Sequence, residues 1–135
     1  MSKLHVRDVV SHELASWCTA NGVEFVPAIN EENKATTELW CTLEFFTDYN
    51  ESDCYEGNDR TEQGTFDVTI FTPAGSGYSV AVDKCDLLEQ YFWHVHLVRV
   101  EIVDSVSASE INGGDGSGRF AGWTVSFSYN HHYTI

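Results

Sequence analysis

The chain has 135 residues, with 7 Lys and Arg against 21 Asp and Glu, for a formal net charge of −14. That is the length of one domain, and 42% hydrophobic with 13% aromatic residues is too apolar for a disordered acidic tail. The charge excludes a sequence-reading DNA-binding domain, which needs a basic footprint to neutralise phosphates, and disfavours adhesion to an anionic membrane surface.

No apolar run approaches the roughly 18–20 residues of a membrane span. The residues from Met1 to Asp8 lack the apolar stretch of a signal peptide, which predicts a chain made and kept in a reducing cytosol. Cys18, Cys41, Cys54 and Cys85 are then expected to be free thiols.

In chain order, a helix is expected over about Val6–Ala20. Val6, Val9, Val10, Leu14, Trp17 and Cys18 form one apolar stripe, and Asn21-Gly22 stops it. Val23 to Val26 is short and extended, and Asn30 to Thr37 is a polar loop. Glu38 to Asp48 alternates as a strand with Leu39, Cys41, Leu43 and Phe45 on one face. Trp40, Thr42, Glu44 and Phe46 lie on the other, so this strand is expected to be buried on one side and part-covered on the other.

Tyr49 to Gly64 reads as a long acidic loop, followed by a strand from Thr65 to Thr72 with Phe66, Val68 and Ile70 inward. A turn at Pro73–Gly77 leads to a second amphipathic helix, about Tyr78 to Trp93, with Ala81, Cys85, Leu88 and Phe92 in one stripe. Leu97 to Val106 is an alternating strand, with Val98, Val100 and Ile102 on one face. Ile111 to Gly122 carries five glycines and reads as a flexible connection, before a last strand from Trp123 to Tyr133. The order predicts an α+β fold: a mostly antiparallel sheet of about four or five strands, with two amphipathic helices packed on one face. One crossover connection, made by the second helix, is required.

The chemistry-bearing motifs are weak. Gly113 to Gly118 lacks the Lys and the following helix of a phosphate-binding loop. Gly75-Ser76-Gly77 precedes a helix but has no nearby Lys, so it reads as a turn. His94 and His96 would share a face if extended, and His131-His132 would point to opposite faces; no further ligand spacing completes a zinc site. Cys54 lies among carboxylates, which raise a thiol pKa, and no Gly-x-Ser-x-Gly elbow is present. Glu44 and Asp67 interrupt apolar strands and are expected on one sheet face, as a carboxylate pair or as two solvated acids. No catalytic, cofactor or metal residue is assigned.

The acids are concentrated. Glu44, Asp48, Glu51, Asp53, Glu56, Asp59 and Glu62 face a single base, Arg60, so this stretch carries nearly half of the net charge. Asp48 to Asp53 has the alternation of a calcium loop but lacks its glycine and closing Glu, so a solvated loop is the simpler expectation.

The segment Gly64-Thr65-Phe66-Asp67-Val68-Thr69-Ile70-Phe71-Thr72-Pro73-Ala74-Gly75-Ser76-Gly77, running into a helix that ends Tyr91-Phe92, resembles the tail terminator (tail completion) proteins of long-tailed bacteriophages. The first helix, the aromatic-rich strand from Leu39 to Phe46, the Gly-rich loop and the strand from Trp123 to Tyr129 are consistent with that family. The resemblance implies a structural virion protein and no enzyme. It implies a ring, usually a hexamer, at the head-proximal end of the tail, assembled in the host cytoplasm. Such a ring caps the tail tube protein, ends tube growth, and offers a surface to the head–tail connector or neck protein. DNA passes through its bore without specific binding.

On that expectation, Glu51, Asp53, Glu56, Asp59 and Glu62 form a bore- or partner-facing acidic loop, and Trp40 and Phe46 a subunit interface. The alternatives are another tail-tube or head-closure component, or a small ligand-binding or hydrolytic protein with a sheet-face pocket around Glu44, Asp67 and His96.

Overall fold

The structure is a computed structural model that describes residues 2–26, 39–52, 59–75, 78–114, 116 and 118–134. The elements in order are α1 (Ser2–Asn21), β1 (Glu24–Phe25), β2 (Trp40–Ser52), β3 (Asp59–Pro73), α2 (Ser79–His94), β4 (Val100–Glu110) and β5 (Phe120–Thr134). They form one five-stranded sheet in the order β1-β2-β3-β5-β4. Only the short β1–β2 pair is parallel; the other pairs are antiparallel. The fold is α+β with a mostly antiparallel sheet and two helices, as the sequence pattern predicts.

Both apolar helix stripes lie where periodicity put them. Val6, Val10, Leu14, Trp17 and Cys18 of α1 are buried, and so are Ala81, Cys85, Leu88 and Phe92 of α2. They cover one face of the sheet, against Cys41 of β2, Phe66, Val68 and Ile70 of β3, and Trp123, Val125 and Phe127 of β5. Phe66 is the hub. Its ring stacks on Phe127 at 5.0 Å and meets Phe92 of α2 edge-on at 5.6 Å, geometries that add to plain area burial.

Gly22 ends α1 with φ of 71°, a conformation that costs a glycine little. The Lys84 ammonium of α2 donates to the Asn21 carbonyl at 2.8 Å, placing a cation at the negative end of the α1 dipole. A second tie between the helices is the Tyr91 hydroxyl, which donates to the Glu13 carboxylate at 2.6 Å. That hydrogen bond, with burial, pushes the Tyr91 pKa up to about 12.

α2 carries the chain from β3 to β4 across the position of β5. β3 and β4 both run antiparallel to β5, so they are parallel to each other, and this connection is the expected crossover.

Three sequence expectations are corrected. First, Tyr49–Gly64 is not a loop throughout. β2 continues to Ser52, β3 begins at Asp59, and the two remain paired from Tyr49↔Gln63 to Ser52↔Arg60 after a register shift. The hairpin extends because β5 runs equally far alongside it, to Asp59↔Thr134. Pairing to a neighbour, rather than apolar alternation, sustains these polar strand ends. Second, β4 starts at Val100, and a Leu97–Val100 bridge closes a tight turn with Arg99 at φ 60°. Val98 therefore leaves the expected face and is 53% exposed. Third, His94 ends α2 and His96 lies in the following turn, so the two do not share a strand face.

The register also requires glycine at position 64. A Cβ there would lie 2.6 Å from the Phe46 carbonyl oxygen and 2.7 Å from the Tyr129 hydroxyl. Backbone and aromatic ring close on that point from two strands.

Candidate functional site

The sheet has two chemically distinct faces. Opposite the helices, Thr42, Glu44 and Phe46 of β2 lie beside Thr69, Asp67 and Thr65 of β3, and these beside Thr124, Ser126 and Ser128 of β5. The Thr69 and Thr124 hydroxyls are hydrogen-bonded at 2.8 Å. Glu44 and Asp67 are direct cross-strand partners, so the expected carboxylate pair exists. Among the described residues no helix covers this face. Phe46 is 45% exposed, and Val106, which pairs with Ser126, is 60% exposed.

One end of this face is closed. Trp40 is buried, stacked on Phe71 at 4.2 Å and edge-on to Phe120 at 5.5 Å, with Val26 beside them. Trp40 was expected in a subunit interface; it is instead consumed by the chain's own second core. The covering rings come from residues 31 and 80 positions away, which no local pattern announces. Phe46 stays exposed.

The acidic set divides. Asp53 and Glu56 lie outside the described residues. Glu51 and Asp59 lie on the paired arms of the hairpin. Glu62 faces the helix side and is fully buried, so it does not belong to a solvated loop. Its cross-strand partner His131 is also buried. The His131 ring stacks on His5 of α1 at 5.0 Å and on Tyr133 at 5.2 Å. Among the described residues its Nδ1 has no hydrogen-bond partner. Burial, reinforced by the nearby His5, His132 and Arg99 charges, lowers the His131 pKa to about 4. His5 donates from Nε2 to the Val98 carbonyl at 2.9 Å, which anchors α1 over this end. As the sequence predicts, His132 takes the opposite face, where it is hydrogen-bonded to Thr61 at 3.1 Å.

Two open hollows flank α2. At its start, Tyr78, Trp123 and Glu110 line a space of about 460 Å³ with Pro73, Gly75 and Ala121. At its end, a space of about 350 Å³ is lined by Phe92, Trp93, His96, Arg99, Glu101 and His132, among others. Between them, α2 is tied to β4 by polar contacts. Trp93 Nε1 donates to the Ser105 hydroxyl at 2.8 Å, and Ser105 and Ser107 donate to the Glu89 carboxylate. His96 thus sits on the helix side, away from Glu44 and Asp67, and the three do not form a common pocket.

Nucleophilic chemistry finds little support in the thiols. Cys18, Cys41 and Cys85 are free and buried. Cys18 and Cys41 approach to 3.4 Å between sulfurs, and that contact, together with burial, raises the Cys41 pKa. Burial, with the Asp86 and Glu89 charges, pushes Cys85 up to about 12. Raised thiols are poor nucleophiles. Among the described residues, no group of three His, Cys, Asp or Glu is placed to hold a metal ion, and no helix is long and apolar enough to cross a membrane.

No known protein family matches the chain, and no curated protein matches it in sequence. A solved structure whose name states no function is similar in fold. It is 17% identical, with a TM-score of 0.64, over 100% of this chain and 99% of the other. At that identity the likeness speaks for the fold alone.

Proposed function

We propose that the chain is a structural subunit of the phage tail terminator kind: a non-enzymatic protein that closes into a ring, a hexamer by that resemblance, on the last ring of tail-tube protein. The ring ends tube growth and offers its other side to the head–neck proteins, while DNA passes through the bore unbound. The observation that carries this reading is the one-sided sheet. Both helices pack on one face, and the face opposite keeps Phe46 near one edge and Val106 near the other. A rotational ring needs unlike patches on its two flanks, because each subunit meets its neighbour heterologously. The sequence resemblance over Gly64–Gly77 and the fold support the same reading.

The acid-rich hairpin fits a bore lining, where negative charge keeps the passage non-adhesive to phosphates. Glu62 is excluded from that role by its burial, which leaves Glu51, Asp53, Glu56 and Asp59.

Light scattering after size exclusion, with and without tail-tube protein, tests the proposal. The expected result is a ring, formed alone or on the tubes, and tubes that stop growing once capped. A chain that stays monomeric beside tail tubes and leaves their length unchanged overturns it. Neutralising the four remaining acids should lower genome passage at normal tail length; unchanged infectivity overturns the bore placement.

A further inference from the structure

The two hollows beside α2 differ in chemistry: the first holds an acid and no base, the second Arg99 together with Glu101. The one at the start of α2 is lined by the exposed Tyr78 and by Glu110, over the largely buried Trp123. An exposed aromatic ring beside an acid forms a receptor for a cation, above all a guanidinium, which stacks and pairs at once. Tyr78 is 67% exposed, and neither its hydroxyl nor Glu110 has a hydrogen-bonding or ionic partner among the described residues. The hollow at the end of α2 presents Arg99.

Arg99 stands apart from Arg7, Arg119 and Lys84. Arg7 lies over the Phe45 ring at 4.8 Å, Arg119 lies 6.0 Å from Phe120, and Lys84 is bonded to Asn21. Among the described residues the Arg99 guanidinium has no acid, ring or carbonyl partner. Its backbone is nevertheless fixed. The residue is held at φ 60° inside the Leu97–Val100 bridge, and its carbonyl accepts from the His132 N–H at 3.1 Å. A side chain on a pinned backbone loses less entropy on binding than one on a loose loop.

The receptor and the cation cannot meet within one molecule. Arg99 precedes β4 and Glu110 ends it, and that length of extended chain separates them by roughly 30 Å. We propose that Arg99 of one subunit seats in the Tyr78–Trp123–Glu110 hollow of a second copy of this chain. Cation and receptor lie at opposite ends of one subunit, so the contact is heterologous and repeats head to tail, as a closed ring requires. This inference rests on the ring reading and names the contact that closes it.

Site-directed cross-linking tests it. In a Cys54→Ser background, the Arg99→Cys and Glu110→Cys proteins are mixed, mildly oxidised and run without reductant. The mixture should give a covalent dimer that neither protein gives alone, and a chain carrying both substitutions should give a ladder ending at one closed size. Charge reversal is the second measurement. Arg99→Glu and Glu110→Arg should each weaken assembly at least about tenfold by sedimentation, and the double reversal should restore most of it. Assembly that persists without the mixed cross-link, or a double reversal that restores nothing, overturns the Arg99 contact and leaves the ring. A chain that is monomeric both alone and with tail tubes overturns both.

Discussion

The two faces of β3 and β5 were built under different demands. On the helix side, β3 and β5 place Phe66, Phe127, Val68 and Val125 where α1 and α2 cover them completely. On the other side the same strands place Asp67, Thr69, Thr124, Ser126 and Ser128, of which each is only half-buried. Period-two alternation separates the two sets by one residue. The first face carries the main core. The second carries the small cluster around Trp40 and otherwise leaves hydroxyls, acids and Phe46 half-buried or exposed.

Substitutions should respect that division, and the largest effects belong to the covered face. Phe66→Ala removes the ring on which Phe45, Phe92, Phe127 and Tyr129 converge. It should cost about 3–5 kcal/mol in a denaturant melt, and a loss under ~1 kcal/mol would deny that face its role. Acid should act next. The pKa of His131 falls from 6.5 to about 4 on folding, so the unfolded chain binds the proton more tightly. Stability is therefore complete above about pH 6.5 and declines as the pH falls toward 4, by up to about 3 kcal/mol. His131→Phe should flatten that slope in melts across pH 4–7; an unchanged slope would place the acid sensitivity elsewhere.

Gly64→Ala should cost about 2 kcal/mol, because the added methyl meets a backbone oxygen that cannot easily move. On the uncovered face, Phe46→Ser should leave the melt within about 0.5 kcal/mol of wild type while reducing assembly on tail tubes. A large stability loss would show that Phe46 serves the fold. The smallest change is expected at the carboxylate pair. Glu44 and Asp67 oppose each other directly, and Asp67→Asn should stabilise by a few tenths of a kcal/mol at low salt.

What the sequence disclosed follows the range of the interactions involved. Helix stripes and strand faces come from contacts within a few residues, and α2, β5 and the two faces of β2 were legible for that reason. The extension of β2 and β3 through a polar stretch was not. Its partner is β5, some seventy residues later, and residues such as Gln63 and Glu62 carry no local strand signal. Glu62 illustrates the same limit. The acid-rich stretch reads uniformly polar, and only the register with His131 places Glu62 on the covered face, where it is buried. Alternation put Trp40 on the part-covered face, as an interface residue, and Phe71 and Phe120 cover it instead from within the chain. The hollow of Tyr78, Trp123 and Glu110 joins the start of a helix, the end of one strand and the start of another, so no linear motif marks it.

The strand order has a consequence for how the molecule comes together. β5 is the last of the five strands in the chain, yet it lies between β3 and β4. Until it is inserted, the β2–β3 hairpin and β4 are separate pieces with open edges, joined only through α2. Closing the sheet requires β5 to pair with both neighbours, by contacts of long sequence separation. Such steps are slow and leave strand edges open to wrong partners. Refolding should therefore be limited by the arrival of β5, and a chain truncated before Phe120 should lack the sheet's centre rather than merely its end.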